Sequence, residues 1–337
     1  MVTGSQIGSG VFMLPATLAP YGLYGLGGWL ISGLGAIMLA LVFAQLCSWF
    51  PKTGGPHVYV KEAFGLPASF FTGWTYWIIS WVSTTVVVIG SIGYLLPLLG
   101  VTSTYLKLML EILLLISITA LNFRGVTAAG HVEFILTALK IIPLLIVPLI
   151  ALFYFDIHNF VLNEAVSTLT TSQLLSRVTL LTLWGFIGLE SATTPADAVE
   201  NPSVTIPKAV VIGTISVAVL YLMNSIGIMG VIPGNELMHS IAPYAAAVRF
   251  MFGGSWHILL SLIASIICIG TLNAWVMASG QIALGLAQDK LLPRYFGLKN
   301  KFDAPTTVDR KERVQIPDEA CRNLLSHREA FYYNCFL

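Results

Sequence analysis

Gly4-Ser5-Gln6-Ile7-Gly8-Ser9-Gly10-Val11-Phe12 puts three glycines and two serines within seven residues of an otherwise apolar run from Met1 to Ala19. Glycine has no side chain to hold a helix, and serine offers the backbone competing hydrogen bonds. At membrane depth such irregular backbone persists only where it lines a cavity or is buried in protein. The cluster is contiguous, unlike Gly28, Ser32, Ala36 and Ala40, which recur every four residues and read as a helix-packing stripe. An unwound segment is therefore predicted near Gly8. A second interruption, Trp184-Gly185-Phe186-Ile187-Gly188-Leu189-Glu190-Ser191, falls in a later apolar run. Paired broken helices in corresponding places are a sequence pointer to a transporter site. The echo of Ile7-Gly8-Ser9-Gly10 in Ile187-Gly188-Leu189-Glu190 fits an inverted repeat of five helices.

The rest of the chain places these breaks in lipid. Of 337 residues, 56% are hydrophobic and only 10% charged, against about 25% charged in soluble domains. The protein is an all-α integral membrane protein by this reading. Apolar runs long enough to cross a bilayer, about 20 residues each, lie near Met1 to Ala19, Gly25 to Phe50, Ala68 to Leu99, Tyr105 to Asn122, Val132 to Phe155, Leu174 to Val199, Pro207 to Ile232 and His257 to Leu286. A membrane β-barrel needs alternating segments, and Ile141-Ile142-Pro143-Leu144-Leu145-Ile146-Val147 does not alternate. The first run lacks a basic start and an Ala-x-Ala cleavage site, so it reads as a span missing its beginning, not as a signal peptide.

Charge sets orientation and marks a change of regime. One set of loops carries Lys52, Lys61, Arg124, Lys208, Lys290, Arg294, Lys299 and Lys301, and the other carries Lys107, Arg177 and Arg249. The positive-inside rule makes the first side, with the start of the chain, cytoplasmic. The loops around Gly22, Val101, residues 156–172 and 234–255 then lie outside. Residues 1–304 hold 12 Lys/Arg and 11 Asp/Glu, whereas the last 33 hold 5 and 5 and no apolar span. Residues 307–337 therefore read as a polar, disordered or frameshifted tail. Net charge of +1 provides no field for nucleic acid. Cys47, Cys268, Cys321 and Cys335 show neither disulfide-framework nor zinc spacing, and the six histidines read as solvated or interfacial.

Ile7-Gly8-Ser9-Gly10-Val11-Phe12 with Leu14-Pro15, Pro51-x-Thr53-Gly54-Gly55, Gly188-Leu189-Glu190-Ser191 with Glu200-Asn201-Pro202, and Ile206-Pro207-Lys208-Ala209 together resemble the amino acid, polyamine and organocation transporter superfamily. The nearest branch is the basic amino acid and polyamine antiporters, including arginine/agmatine exchangers. The resemblance runs from about residue 1 to about 306. It implies a broken-helix inverted-repeat transporter fold with about eight of the usual twelve transmembrane helices present. Residues 1–155 would form the first five-helix repeat and 156–306 part of the second. The implied activity is movement of an amino acid or its amine across the plasma or inner membrane by alternating access.

The residues support a site between the breaks. Free N–H groups and the positive dipole end of a resumed helix suit a carboxylate, which assigns the substrate's α-carboxylate to Ser9 and Gly10 beside Ile7 and Gly8. The carbonyls ending the inner half of the sixth span, around Trp184 and Ile187, would accept its ammonium. An aromatic face holds a desolvated cation with about 2 kcal/mol or more; Trp184, Trp275 and Tyr76 match aromatic positions of the antiporters. Trp29, Trp49, Trp74 and Trp256 read as interfacial belt residues. Thr84 stands where the arginine exchangers carry asparagine, and Gln6 where an aliphatic residue is usual, so the resemblance does not carry arginine over as substrate. Glu190, a carboxylate inside a span, is functional by default, and the resemblance makes it a gate. Lys140 lies too deep to snorkel easily; the resemblance makes it the proton-coupling group. Glu133 reads as an interface residue, and Lys107 with Glu111 as a local ion pair. The implied partners are an amine or amino acid, protons, the bilayer and a second copy of the chain. No enzyme motif, cofactor or metal site is read: HExxH and the Walker loop are missing, and Gly8-Ser9-Gly10-Val11-Phe12-Met13 does not complete GxGxxG. Without spans nine and ten the chain as written is expected not to transport. The alternative is a non-transporting membrane assembly subunit or an inert gene remnant.

Overall fold

The computed structural model describes residues 1–8, 10–100, 103–240, 243–254 and 257–305. Ser9, Trp256 and the tail expected over 307–337 lie outside the described residues. Thirteen α-helices occur among the described residues: α1 (Val2–Gln6), α2 (Gly10–Leu18), α3 (Leu23–Trp49), α4 (Pro56–Phe64), α5 (Leu66–Leu99), α6 (Thr104–Asn122), α7 (Val126–Ala151), α8 (Glu164–Ser167), α9 (Thr171–Leu183), α10 (Pro202–Val231), α11 (Gly234–Leu237), α12 (Pro243–Phe252) and α13 (His257–Gln288). Seven stretches are long and apolar enough to cross a membrane, built on α3, α5, α6, α7, α9 with its continuation, α10 and α13. The eighth expected span is the first run, which the structure divides into α1 and α2.

Both expected breaks are present. α1 ends where Ile7 turns to extended backbone, and α2 resumes at Gly10. α9 opens on a Thr170–Gln173 capping box and gives way to a 3₁₀ turn at Trp184–Phe186. Gly188 then takes φ 105°, a left-handed conformation in which a side chain is strained, and a Cβ there would press on Ser5. The sixth run was expected to continue as a helix to Val199. Instead 3₁₀ turns cover Leu189–Thr193 and Ala196–Ala198. The cause is local: Thr193 and Thr194 donate their hydroxyls to Glu190 O and Ser191 O, each at 2.7 Å, and so compete with the α-helical ladder.

Lipid removes most of the hydrophobic drive between helices, so close approach of small residues takes its place. Gly28, Ser32, Ala36 and Ala40 are all buried, and Gly28 lies against Val178 of α9. α3 also packs along α10, and α13 along α5 and α7. Trp29 departs from its expected place in the belt. It is 3% exposed, donates to Ser225 Oγ at 2.6 Å, and packs on Phe186 and Tyr221. Trp49 and Trp74 are exposed. Glu133 is likewise buried, not interfacial, because its face of α7 meets α1 and α13. His57 is also buried, under Gly54 and Asp289. Lys107 and Glu111 form the expected pair at 3.8 Å.

The loops gather at two ends as the alternation of spans requires. At one end, Lys61 pairs with Asp289, Thr53 Oγ1 accepts from Asp197 N at 2.9 Å, and Asn300 donates to Phe123 O at 2.6 Å. At the other, Tyr21 bridges Leu162, and Asn159 donates to Gly230 O at 2.6 Å.

Candidate functional site

The two breaks face each other across a few hydrogen bonds. Ser5 Oγ donates to Gly188 O at 2.9 Å and lies 2.7 Å from Ser191 Oγ. Gln6 Nε2 donates to Phe186 O at 3.2 Å. The last carbonyls of α1 have no helical partner and are taken by side chains. Tyr221 OH donates to Gln6 O at 2.7 Å, Thr271 Oγ1 to Ile7 O at 2.7 Å, and Lys140 Nζ to Gly4 O at 2.6 Å and Ile7 O at 3.2 Å.

A cavity of about 210 Å³ opens beside this junction. The first break contributes Ser5, Gln6, Gly8 and Gly10, the second Trp184, Gly185 and Ile187. α5 supplies Ser83, Val86 and Val87, α10 supplies Tyr221, and α13 supplies Thr271 and Trp275. Trp184 lies directly over Gly10: a Cβ added there would come within 2.6 Å of Trp184 Cζ3. Trp184 and Ile187 are 54% and 50% exposed, whereas Trp275 is 5% exposed, so one indole covers an open side and the other is enclosed.

Six residues singled out in the sequence thus share this cavity: Gln6, Gly8, Gly10, Trp184, Ile187 and Trp275. Ile7 is fully buried and contributes its carbonyl behind the cavity. Thr84 is turned onto its own helix, donating to Trp81 O at 2.6 Å, and its neighbour Ser83 takes the lining position. Tyr76 lies beyond Trp275, their ring centroids 6.4 Å apart in an edge arrangement, and its OH donates to Glu190 Oε1 at 2.9 Å. Gly188 N donates to Glu190 Oε2 at 3.2 Å, so the carboxylate is pinned to the break itself. Lys140 reaches the cavity wall through Thr271, 3.1 Å from its Nζ.

Two details differ from expectation. The half of the sixth span that ends at Trp184 begins at Thr171, on the end shared by Tyr21 and Leu162. By the expected loop assignment it is the outer half, not the inner. Several carbonyls of that break are also engaged: Trp184 O accepts Ile187 N at 3.3 Å, Phe186 O accepts Gln6, and Gly188 O accepts Ser5. Ser5, Ser83, Tyr221 and Thr271 escaped the sequence reading. The polar pairs Tyr221 with Asn224 and Thr271 with Asn273, each inside an apolar span, were the signal available. Among the described residues no group of three metal-ligating side chains converges.

A family model described as Amino acid permease matches residues 1–308. The putrescine transporter PotE of Haemophilus influenzae is 32% identical over 302 residues, 89% of this chain and 69% of the relative. The corresponding putrescine transporter of Escherichia coli is 30% identical over 302 residues, with the same shares. A cadaverine/lysine antiporter of Escherichia coli is 30% identical over 301 residues, 88% of this chain and 67% of the relative.

Proposed function

The chain belongs to the amino acid permease family, and from that premise we propose that its central cavity is the substrate site of a carrier that moves a diamine or basic amino acid across the membrane by alternating exposure. The observation that carries this reading is the stacking of Trp184 over Gly10 where both broken helices meet. An indole face attracts a desolvated ammonium, and the N-terminal end of α2 favours a carboxylate. Each end of a lysine has its complement here, whereas putrescine uses the aromatic faces alone. Trp275, shut in against Tyr76, forms the far wall, and Glu190, held by Tyr76 and Gly188, is the gate beneath it.

Lys140 is the proton-coupling group, because its ammonium ties α1 and Thr271 of α13 together. Loss of its proton removes a donor and loosens that tie. Residues 1–155 form the first five-helix repeat and 156–306 part of the second, the start of the chain is cytoplasmic, and a second copy of the chain is a candidate partner.

The test is equilibrium binding of radiolabelled putrescine and lysine to the purified 337-residue chain in detergent. Both are expected to bind and to be lost with Trp184→Ala, while lysine alone depends on the α2 end. Failure of both amines to bind overturns the transporter reading in favour of a non-transporting membrane subunit.

A further inference from the structure

Gly4 is approached by charge from two sides. Its carbonyl accepts Lys140 Nζ at 2.6 Å, and a Cβ added to it would collide with the carboxylate of Glu133. A side chain at this position would force the Glu133 carboxylate and the Thr137 hydroxyl to move. Glu133 is 1% exposed and sits seven residues, about two helical turns, before Lys140 on α7. Its Oε1 accepts from Thr137 Oγ1 at 3.2 Å and its Oε2 from Asn273 Nδ2 at 2.9 Å. Asn273 also donates to Ala129 O at 3.1 Å and accepts from Asn122 Nδ2 at 3.1 Å, so α6, α7 and α13 converge on one carboxylate.

The charged groups facing Glu133 are Lys140 and the amino group of Met1; Lys140 in turn faces Glu133 and the Cys268 thiol of α13. α6 reaches Glu133 through the neutral Asn122, by way of Asn273. A carboxylate within a membrane bundle is costly and marks function by default. Amide and hydroxyl donors satisfy its lone pairs but do not balance its charge.

We propose that Glu133 is a positioning residue of the carrier: across Gly4 it supplies the countercharge to Lys140, and so fixes the pH range over which that ammonium holds the end of α1. The inference rests on the reading of Lys140 as the proton-coupling group. The experiment is a double-mutant cycle on the purified 337-residue chain, with thermal unfolding followed in detergent from neutral to alkaline pH. Glu133→Gln alone is expected to lower the unfolding midpoint at neutral pH, where Lys140 carries its charge, and the loss is expected to shrink as the pH rises and the ammonium gives up its proton. Glu133→Asp restores most of the midpoint. In a Lys140→Gln background, where the buried carboxylate has no countercharge, Glu133→Gln lowers the midpoint at no pH. Should Lys140→Gln not fold, Lys140→Arg replaces it: a guanidinium keeps its charge over this range, so the loss from Glu133→Gln then stays the same across it. A loss of one size in the wild-type and Lys140→Gln backgrounds at every pH, or a loss that still shrinks at alkaline pH with Lys140→Arg, would overturn the proposal and leave Glu133 as packing only. If putrescine and lysine both fail to bind the wild-type chain, the transporter reading falls, and the unfolding cycle still decides whether the two charges are coupled.

Discussion

Gly8 and Gly10 stand two residues apart and meet different surroundings. At Gly10 an added methyl would press into the Trp184 ring at 2.6 Å, whereas at Gly8 the nearest atoms belong to Thr271 at 3.4 Å. Overpacking costs about 1–3 kcal/mol, so Gly10→Ala is expected to weaken amine binding roughly five- to hundredfold, and Gly8→Ala within a few-fold. Equal effects in a binding assay would mean that Trp184 does not stack where the ligand sits. Tyr76→Phe tests the neighbouring contact, because it removes one of two side-chain and backbone donors on the Glu190 oxygens. A lost hydrogen bond to a charged group costs about 1.5–3 kcal/mol, and a lowered thermal midpoint in detergent would register it. An unchanged midpoint would show that the bond contributes nothing to stability. Trp184, Trp275, Glu190 and Lys140 were legible in the sequence because each is a large or costly group within an apolar span. Glu133 and Trp29 were misread because position along a span does not give rotation about it. Both sit near span ends, where an interfacial place is equally cheap, and only packing against α1, α10 and α13 turns them inward.

At the scale of elements, helix breaks are legible where they are made by glycine clusters and illegible where they are made by hydroxyls. Gly8 and Gly10 announced the gap between α1 and α2. The conversion of the sixth run to 3₁₀ turns depends on Thr193 and Thr194 bonding their own backbone, which their side chains can equally forgo in an α-helix. α4, which no apolar periodicity suggested, follows from Gly55 and Pro56 at its start and docks His57 against Gly54 O at 3.2 Å and Asp289 Oδ2 at 3.4 Å. Burial, only partly offset by the Asp289 carboxylate, pushes the His57 ring below its ordinary pKa, which is about 6.5. The folded chain therefore resists taking a proton that the unfolded chain accepts. Stability from this group is complete above pH of about 6.5 and is lost as pH falls below it. Thermal unfolding of the purified chain is expected to shift down on acidification across that window, and His57→Gln to flatten this dependence. A wild-type midpoint that rises on acidification would instead mean that the Asp289 pairing outweighs burial.

At the scale of the whole molecule, the two sets of loops are fixed by contact, and only their assignment to the two faces of the membrane rests on charge. Lys61 with Asp289 and Asn300 with Phe123 O close one end, and Tyr21 with Leu162 closes the other, so the spans alternate without a re-entrant loop among the described residues. Eight Lys/Arg lie in the first set and three in the second. Translocating a short loop is disfavoured by its Lys and Arg and little affected by its acids. Counting bases alone is therefore the relevant measure, and the nearly neutral total charge does not weaken it. Lys52 and His158 report the two ends best, because their side chains are 64% and 88% exposed and neither belongs to the cavity. In a background with the native cysteines replaced, His158→Cys is expected to react with a membrane-impermeant thiol reagent on intact right-side-out vesicles. Lys52→Cys should react only after permeabilisation. The opposite pattern would invert the carrier, putting Trp184 and the half-helix that begins at Thr171 on the cytoplasmic side of the cavity and Glu190 on the outer side. A gate at Glu190 would then respond to the pH outside the cell and not to the pH within.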